Sequence, residues 1–541
     1  MPSSKFLAIA IAMSLGAAAA HADSFTGPQS SQTPYVVPTA PGWDVTSLVT
    51  VGDSAKESPY VLVGIPDGMG AVAGKFAENG TYVADKAFMT VFLNHEISPT
   101  ASNPGVVRAH GTAGAFVSQW TVHLNSLQVK WGEDLIRRVL TWDATAGAFA
   151  DTTGVAQFNR FCSADLPPLT GFFNPANGKG FKGRIFMNGE ESGDEGRAFG
   201  HVVTGEEKGT SYELPYLGKF SWENSVAHPD AADKTIVVGL DDSTPGQLYV
   251  YVGDKQDYGN PVERAGLQYG KLYGLKVPGL PFENAGAVNG TFSLVDLSAV
   301  PTYIDGNPNQ AGLQCQLSNA IPVPVTRQNG LSLQCHSAAN GITEFARPED
   351  GHWDTKNARV FYWVTTGATV QGSLQTARLY KLTFDSLSNP SGGTIELVRD
   401  ASTMLTTGDA AGTTARSFDN ITVDAAGQVI VQEDPGNTSY IAKTWKIDPV
   451  TKDYVQIFES DRERFVSGAP GFLTQDEENS GVIEVTDIVK NANWYEAGRR
   501  YYLGNMQAHY AVPGELVEGG QVYLMASPRP ADSIGEPGKK K

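Results

Sequence analysis

The chain is predicted to be all-β and built as a β-propeller. Three observations predict it: short strands from about residue 85 onward, a recurring strand-turn-strand unit, and a composition unsuited to long helices. Among 541 residues, glycine (59) and proline (31) are abundant and only 18% are charged. Turns want such residues, whereas long helices want Ala, Leu, Glu and Lys. The strand candidates include KAFMTVFLNHE, RRVLTWD, GRIFMNGEE, KTIVVGLDD, QLYVYVGD, RVFYWVTTG, QVIVQED and QVYLMASP. All are rich in Val, Ile, Tyr and Phe and are punctuated by Gly, Asn or Asp. The repeated unit reads RRVLTWDATAGAF, GKLYGLKVPG, ARLYKLTFDSLS and TWKIDPVTKDYVQIF. Each copy is an alternating strand ending in a polar turn, the hairpin that recurs once per propeller blade. Residues 112–126 (TAGAFVSQWTVHLNS) are the best amphipathic helix candidate, and the remaining insertions are expected to be loops and short helices.

The domain plan has four parts. Residues 1–22 read as a signal peptide, with Lys5 before an apolar run and Ala20-His21-Ala22 as the cleavage site. There is no twin-arginine motif, and no later segment is apolar enough to span a bilayer. A periplasmic or secreted location is expected. Residues 23–84 are expected to be an N-terminal extension packed on the propeller, 85–530 the propeller itself and 531–541 a flexible tail. A net charge of −18 excludes nucleic acid as a partner, because phosphate backbones need a basic face. An acidic protein with an anionic substrate needs local cations. A small phosphorylated substrate and a monomeric state complete the expectation.

An oxidising compartment favours cysteine pairing. Cys315 and Cys335 lie twenty residues apart in similar contexts, GLQCQLS and LSLQCHS, and are expected to close a loop. Cys162 is then the odd thiol, either a buried small residue or a ligating or reactive thiolate.

Several strand candidates end in acids or amides: LNHE (Asn94, His95, Glu96), MNGEES (Glu190, Glu191), VGLDDS (Asp241, Asp242) and VQEDPGN (Glu433, Asp434, Asn437). WENS (Glu223, Asn224), ITEFARPEDGHWD and FDNITVD (Asp419, Asn420, Asp424) add further oxygens. Equivalent strand ends converge at a propeller axis, where crowded carboxylates repel unless cations intervene. An all-oxygen set suits calcium, and one thiolate suggests a softer metal such as iron.

Taken in order, LNHE, FNRFCSADLPP with RIFMNGEE, GKFSWENS, VVGLDDSTPGQLYVYVGD, FARPEDGHWD, FDNITVDAAGQVIVQED, DEENSGVIEVTDIV and NMQAHY resemble the PhoX-type alkaline phosphatases over roughly residues 85–530. The resemblance implies a six-bladed propeller whose axial site holds Fe³⁺ and Ca²⁺ bridged by an oxo group and hydrolyses phosphomonoesters at alkaline pH. Residue by residue, it implies Cys162 as an iron ligand and Glu223 as a glutamate beside the metals. Glu349 and Asp350 would be ligands to iron and calcium, and Arg347 the phosphate grip; Arg347, Glu349 and Cys162 are the expected catalytic set. Glu190, Glu191, Asp419 and Asn420 would lie on the calcium side, with Asp241, Asp242, Glu433 and Asp434 as further candidates. The chain departs from the family in following its cysteine with SADLPPLTGFF rather than Thr-Pro-Trp-Gly-Thr, and in its leader. A non-catalytic calcium-stabilised propeller that binds partners at the cell surface, and a phosphodiesterase or phytase-like esterase, are the competing readings.

Overall fold

The computed structural model describes residues 23–77, 80–99, 106–283, 288–305, 315–318, 321–370, 373–402 and 414–529. The expected signal peptide and the tail 531–541 lie outside the described residues. Among those described, no helix is long and apolar enough to cross a membrane.

The strands form six blades around an axis, antiparallel throughout except where Arg138–Asp143 pairs parallel with Thr210–Glu213 in blade 2 and Asp23–Thr26 with Asp44–Thr50 at the edge of blade 6. From the axis outward, blade 1 runs Pro66–Ala73, Phe88–His95, Phe116–His123 and Gln128–Asp134. Blade 2 begins with Arg184–Gly189, blade 3 with Trp222–Ala227, blade 4 with Pro348–Trp353 and blade 5 with Phe418–Val423. Blade 6 presents Glu477–Glu478 and Val482–Glu484, both paired with Tyr501–Val512. The outer strands of blades 3 and 4 also pair, joining them into one nine-stranded sheet.

The ring is closed by the N-terminal region. Asp44–Thr50 pairs antiparallel with Val517–Ala526 inside blade 6, and Val36–Pro38 pairs with Tyr454–Ser460 of blade 5. Pro66–Ala73 is the innermost strand of blade 1. Val36–Pro38, Asp44–Thr50 and Pro66–Ala73 are thus propeller strands, where a packed extension over residues 23–84 was expected. Their short runs lie far in sequence from their partners, and the hairpin pattern that marks the other blades is absent from them.

Six hydrophobic clusters fill the six gaps between neighbouring blades. One strand feeds two of them: in Lys234–Asp241, Val237 packs towards blade 2 while Ile236, Val238 and Leu240 pack towards blade 4. The middle strands are therefore apolar on both faces, and this corrects the reading of residues 112–126. Phe116–His123 is a blade 1 strand buried along nearly its whole length. Its Val117 and Trp120 face different clusters, and two-sided burial erased the alternation that would have marked a strand.

Cys335 lies on the helix Gly330–Ala339, in the insertion between blades 3 and 4, and forms a disulfide with Cys315. Cys162 is free and buried.

Candidate metal and phosphate site

The innermost strands of blades 1, 3, 4, 5 and 6 run the same way along the axis, as does the segment 161–165, which bridges antiparallel to Arg184–Gly189 of blade 2. Their first residues meet at one end and their later residues line a cavity of about 260 Å³ towards the other. At the first end Asp67, Glu96, Cys162, Glu191, Glu223, Asp242, Glu349, Asp419, Asp434 and Glu478 surround one small pocket with Arg160 and Arg347.

A local irregularity delivers four of these acids. The strand register slips between Pro66 and Met69, between Trp222 and Asn224, between Pro348 and Gly351, and between Phe418 and Ile421. Asp67, Glu223, Glu349 and Asp419 sit in those slips. A bulge turns a side chain away from the position that simple alternation would give it. Gly68 shows how closely the chain passes there: a Cβ on it would lie 2.2 Å from the Ala164 nitrogen. The Gly68 N–H donates to the Cys162 carbonyl, as does the Asn94 amide, so the segment bearing the thiol is tied to blade 1.

Three sets of side chains come close enough to share an ion. Asp67, Glu96 and Cys162 form one, Glu223, Glu349 and Asp419 a second, and Asp419, Asp434 and Glu478 a third, with ligand atoms within 4.8 Å in each set. The Gln507 amide donates to both Asp67 and Glu96 at 2.9 Å, and the Ser163 hydroxyl donates to Glu223 at 2.5 Å. Thr366 donates its hydroxyl to Glu349. Asp67 Oδ1 is buried without a hydrogen-bond partner among the described residues. An orphaned anionic oxygen beside a thiol and further carboxylates fits a bound cation and is costly without one.

The electrostatics agree. Burial, reinforced by neighbouring carboxylates, pushes Asp67, Glu223, Glu349 and Asp419 well above the usual carboxylate range. Glu191 is raised to about 8 and Asp434 to about 7, with burial again the largest cause. Burial and the charge of Glu96 raise the Cys162 thiol, which donates to Glu191 at 3.1 Å. Glu96 is the exception. Burial opposes its charge, but Arg160 and the Gln507 amide outweigh it and hold the carboxyl below its ordinary value. Protein cations alone leave this end short of positive charge, a lining that bound cations could balance.

The acidic pairs expected from sequence are split by the fold. Of each adjacent pair, Glu191, Asp242, Glu349, Asp419 and Asp434 line the pocket, while Glu190, Asp241, Asp350, Asn420 and Glu433 do not. Glu190 turns to Arg197, and Asp241 accepts from Ser243 and the Gln247 N–H. Asp350 takes Asn224, Gly351 N–H and Ile421 N–H, and Asn420 takes Ser163. Glu433 is held by Trp445, Tyr440 and backbone N–H groups. Successive residues of a strand point to opposite sides, and the member of each pair that does not enter the pocket is satisfied by its own wall.

Four lining residues lay outside the expected ligand set. Glu96 was visible as an acidic strand end. Glu478 stands in DEENS, Asp67 carries no acidic neighbour, and Arg160 lies two residues before Cys162. Proximity to the cysteine was the usable signal for Arg160; Asp67 had none.

A propeller with an acid-lined axial pocket, a buried thiol and two rim arginines defines a scaffold that could hold metal ions and an anion at its axis. The chain belongs to the alkaline phosphatase PhoX family, whose model matches residues 171–464, and it is accordingly a phosphatase. Among solved structures it is similar to Pseudomonas fluorescens PhoX in complex with vanadate, a transition state analogue. That likeness has 13% identity, a TM-score of 0.59, and covers 93% of this chain and 97% of the other. A fainter one, with a TM-score of 0.26 at 9% identity, extends to a gluconolactonase of Xanthomonas campestris over 86% of this chain and 97% of that one. No curated protein matches the sequence.

Proposed function

We propose that the protein is an exported, metal-dependent phosphatase that hydrolyses phosphate monoesters at alkaline pH. The observation that carries this reading is the convergence of ten anionic or thiol side chains on one pocket rimmed by two guanidinium groups. Iron is assigned to Asp67, Glu96 and Cys162, where a thiolate favours a softer ion. Calcium is assigned to the all-oxygen sets Glu223–Glu349–Asp419 and Asp419–Asp434–Glu478. Bound there, the metals would polarise a phosphoryl oxygen and lower the pKa of an attacking water.

The chain's own residues do the positioning. Arg347 is fixed by Asp242, which accepts from its Nε at 2.8 Å and its Nη2 at 2.9 Å, and by Glu349 at 3.2 Å. A guanidinium held in that way can offer its remaining N–H groups to a phosphoryl group without reorganising. Thr366 and Ser163 orient Glu349 and Glu223 by donating to them, and Gln507 aligns Asp67 with Glu96. The leader at residues 1–22 supports export.

Elemental analysis of the purified full-length protein, paired with an aryl phosphate assay at alkaline pH, tests the reading. Iron and calcium in the preparation with phosphate release are expected. A metal-loaded protein that releases no phosphate would overturn it.

A further inference from the structure

Arg160 and Arg347 share an unusual set of features. Both have positive φ, 43° and 60° respectively, a left-handed backbone that side chains with a Cβ rarely adopt. Both backbones are pinned: Glu191 N–H donates to the Arg160 carbonyl at 2.9 Å and Thr366 N–H to that of Arg347 at 3.1 Å. Each arginine clamps two pocket carboxylates with Nε and Nη2. Arg160 donates from Nε to Glu96 at 2.8 Å and from Nη2 to Glu191, and Arg347 treats Asp242 and Glu349 alike. Among the described residues, Nη1 of neither makes a hydrogen bond. The two come from blades 2 and 4 and border the same pocket.

Exposure separates them from a purely structural arginine. Arg378 is 2% exposed, packed between Glu283 and Asp400 in the wall of blade 4. Arg160 is 46% exposed and Arg347 35%, although their partners Glu96 and Glu349 are almost fully buried. Each guanidinium sits at the rim with one edge on the carboxylates below it. Backbone strain at a rim residue points to function when the surroundings impose it.

We propose that Arg160 is a second phosphoryl-binding arginine, acting with Arg347 on the same anion. The inference rests on the phosphatase reading and extends it. A phosphate monoester dianion carries three non-bridging oxygens, enough for two guanidinium groups and the cations beneath, and planar N–H forks match them in geometry. Arg160 thereby also selects for a dianion, since two rim cations add more attraction for a doubly charged group than for a singly charged one.

The test uses the purified metal-loaded full chain, with Arg160→Lys and Arg160→Gln beside the wild type. Metal content, inorganic phosphate binding by calorimetry and kcat/KM on an aryl phosphate are measured on the same preparations. Arg160→Lys keeps the charge but loses the fork, and phosphate affinity and kcat/KM are expected to fall about tenfold or more with metals retained. Arg160→Gln should fall further; if it does not fold, the lysine variant decides. Unchanged phosphate affinity and kcat/KM per metal-loaded molecule, with lowered metal content or melting midpoint, would make Arg160 a counterion for Glu96 and Glu191 and overturn the proposal. Arg160-dependent phosphate binding in a wild type that hydrolyses nothing would remove the phosphatase reading and leave the anion site standing. A metal-loaded wild type that binds no phosphate would remove both.

Discussion

Two buried charged regions of this propeller follow opposite rules. In the wall of blade 4, fully buried Glu283 accepts from Arg378 Nη1 at 2.5 Å, from Tyr380 and from the Ala346 N–H at 2.8 Å, while Asp400 takes Arg378 Nε at 3.0 Å. Its charges are matched within the chain. At the axial pocket nine carboxylates and one thiol face two arginines, and an oxygen of Asp67 is left without a partner among the described residues. A matched network holds structure together, whereas an unmatched one is a demand for something from outside. The wall also serves the site, because Glu283 anchors Ala346, the residue before Arg347.

Removing cations should separate the regions most sharply. Each site whose free cation stands a thousandfold above its Kd adds about 4 kcal/mol. Emptying three such sites should lower the melting midpoint by roughly 10 °C in a chain this size and abolish activity. Differential scanning calorimetry with and without a chelator checks this, and an unchanged midpoint in stripped protein would show that the pocket balances its own charge.

Glu283→Gln should do the reverse, lowering stability without emptying the pocket. Breaking a buried ion pair costs about 3–5 kcal/mol, because Arg378 would remain buried with less compensation. Denaturant unfolding reads the loss, and metal content per folded molecule should match the wild type.

Cys162→Ser sharpens the contrast inside the pocket. The serine hydroxyl is a poor substitute for thiolate, so iron affinity should fall roughly a hundredfold while calcium stays. Equal iron in both proteins would return Cys162 to the role of a small buried residue.

The smallest effect belongs to the far end of the axis. Burial first, then the charge of Asp350, raises the Asp165 carboxyl to about 7, against the opposing pull of the Ala227 N–H and Arg184. The folded protein thus holds this proton at pH values where the unfolded chain has lost it. Stability from this group is full below about pH 4 and declines as pH rises towards 7. Asp165→Asn should flatten that slope, as read by pH-dependent unfolding. A slope equal to the wild type's would mean that Asp165 stays ionised in the folded protein.

The sequence by itself determined the blade hairpins, because period-two strands and Gly/Asn/Asp turns are local properties. RVLTWD, IVVGLD and VIVQE are strands where the pattern places them. It also determined that acidic strand ends recur, which is why Glu191, Glu223, Asp242, Glu349, Asp419 and Asp434 could be named beforehand. It could not show which of two neighbouring acids faces the axis. Glu349 enters the pocket and Asp350 the wall because a bulge sits between Pro348 and Gly351, and a bulge depends on the paired strand. Nor could it place Asp67, whose strand joins blade 1 only through partners starting at Phe88, or assign Asp44–Thr50 to blade 6, since Val517–Ala526 lies more than four hundred residues away. Local pattern encodes the strands; ring closure, strand slips and the meeting of distant charges arise only when the chain packs upon itself.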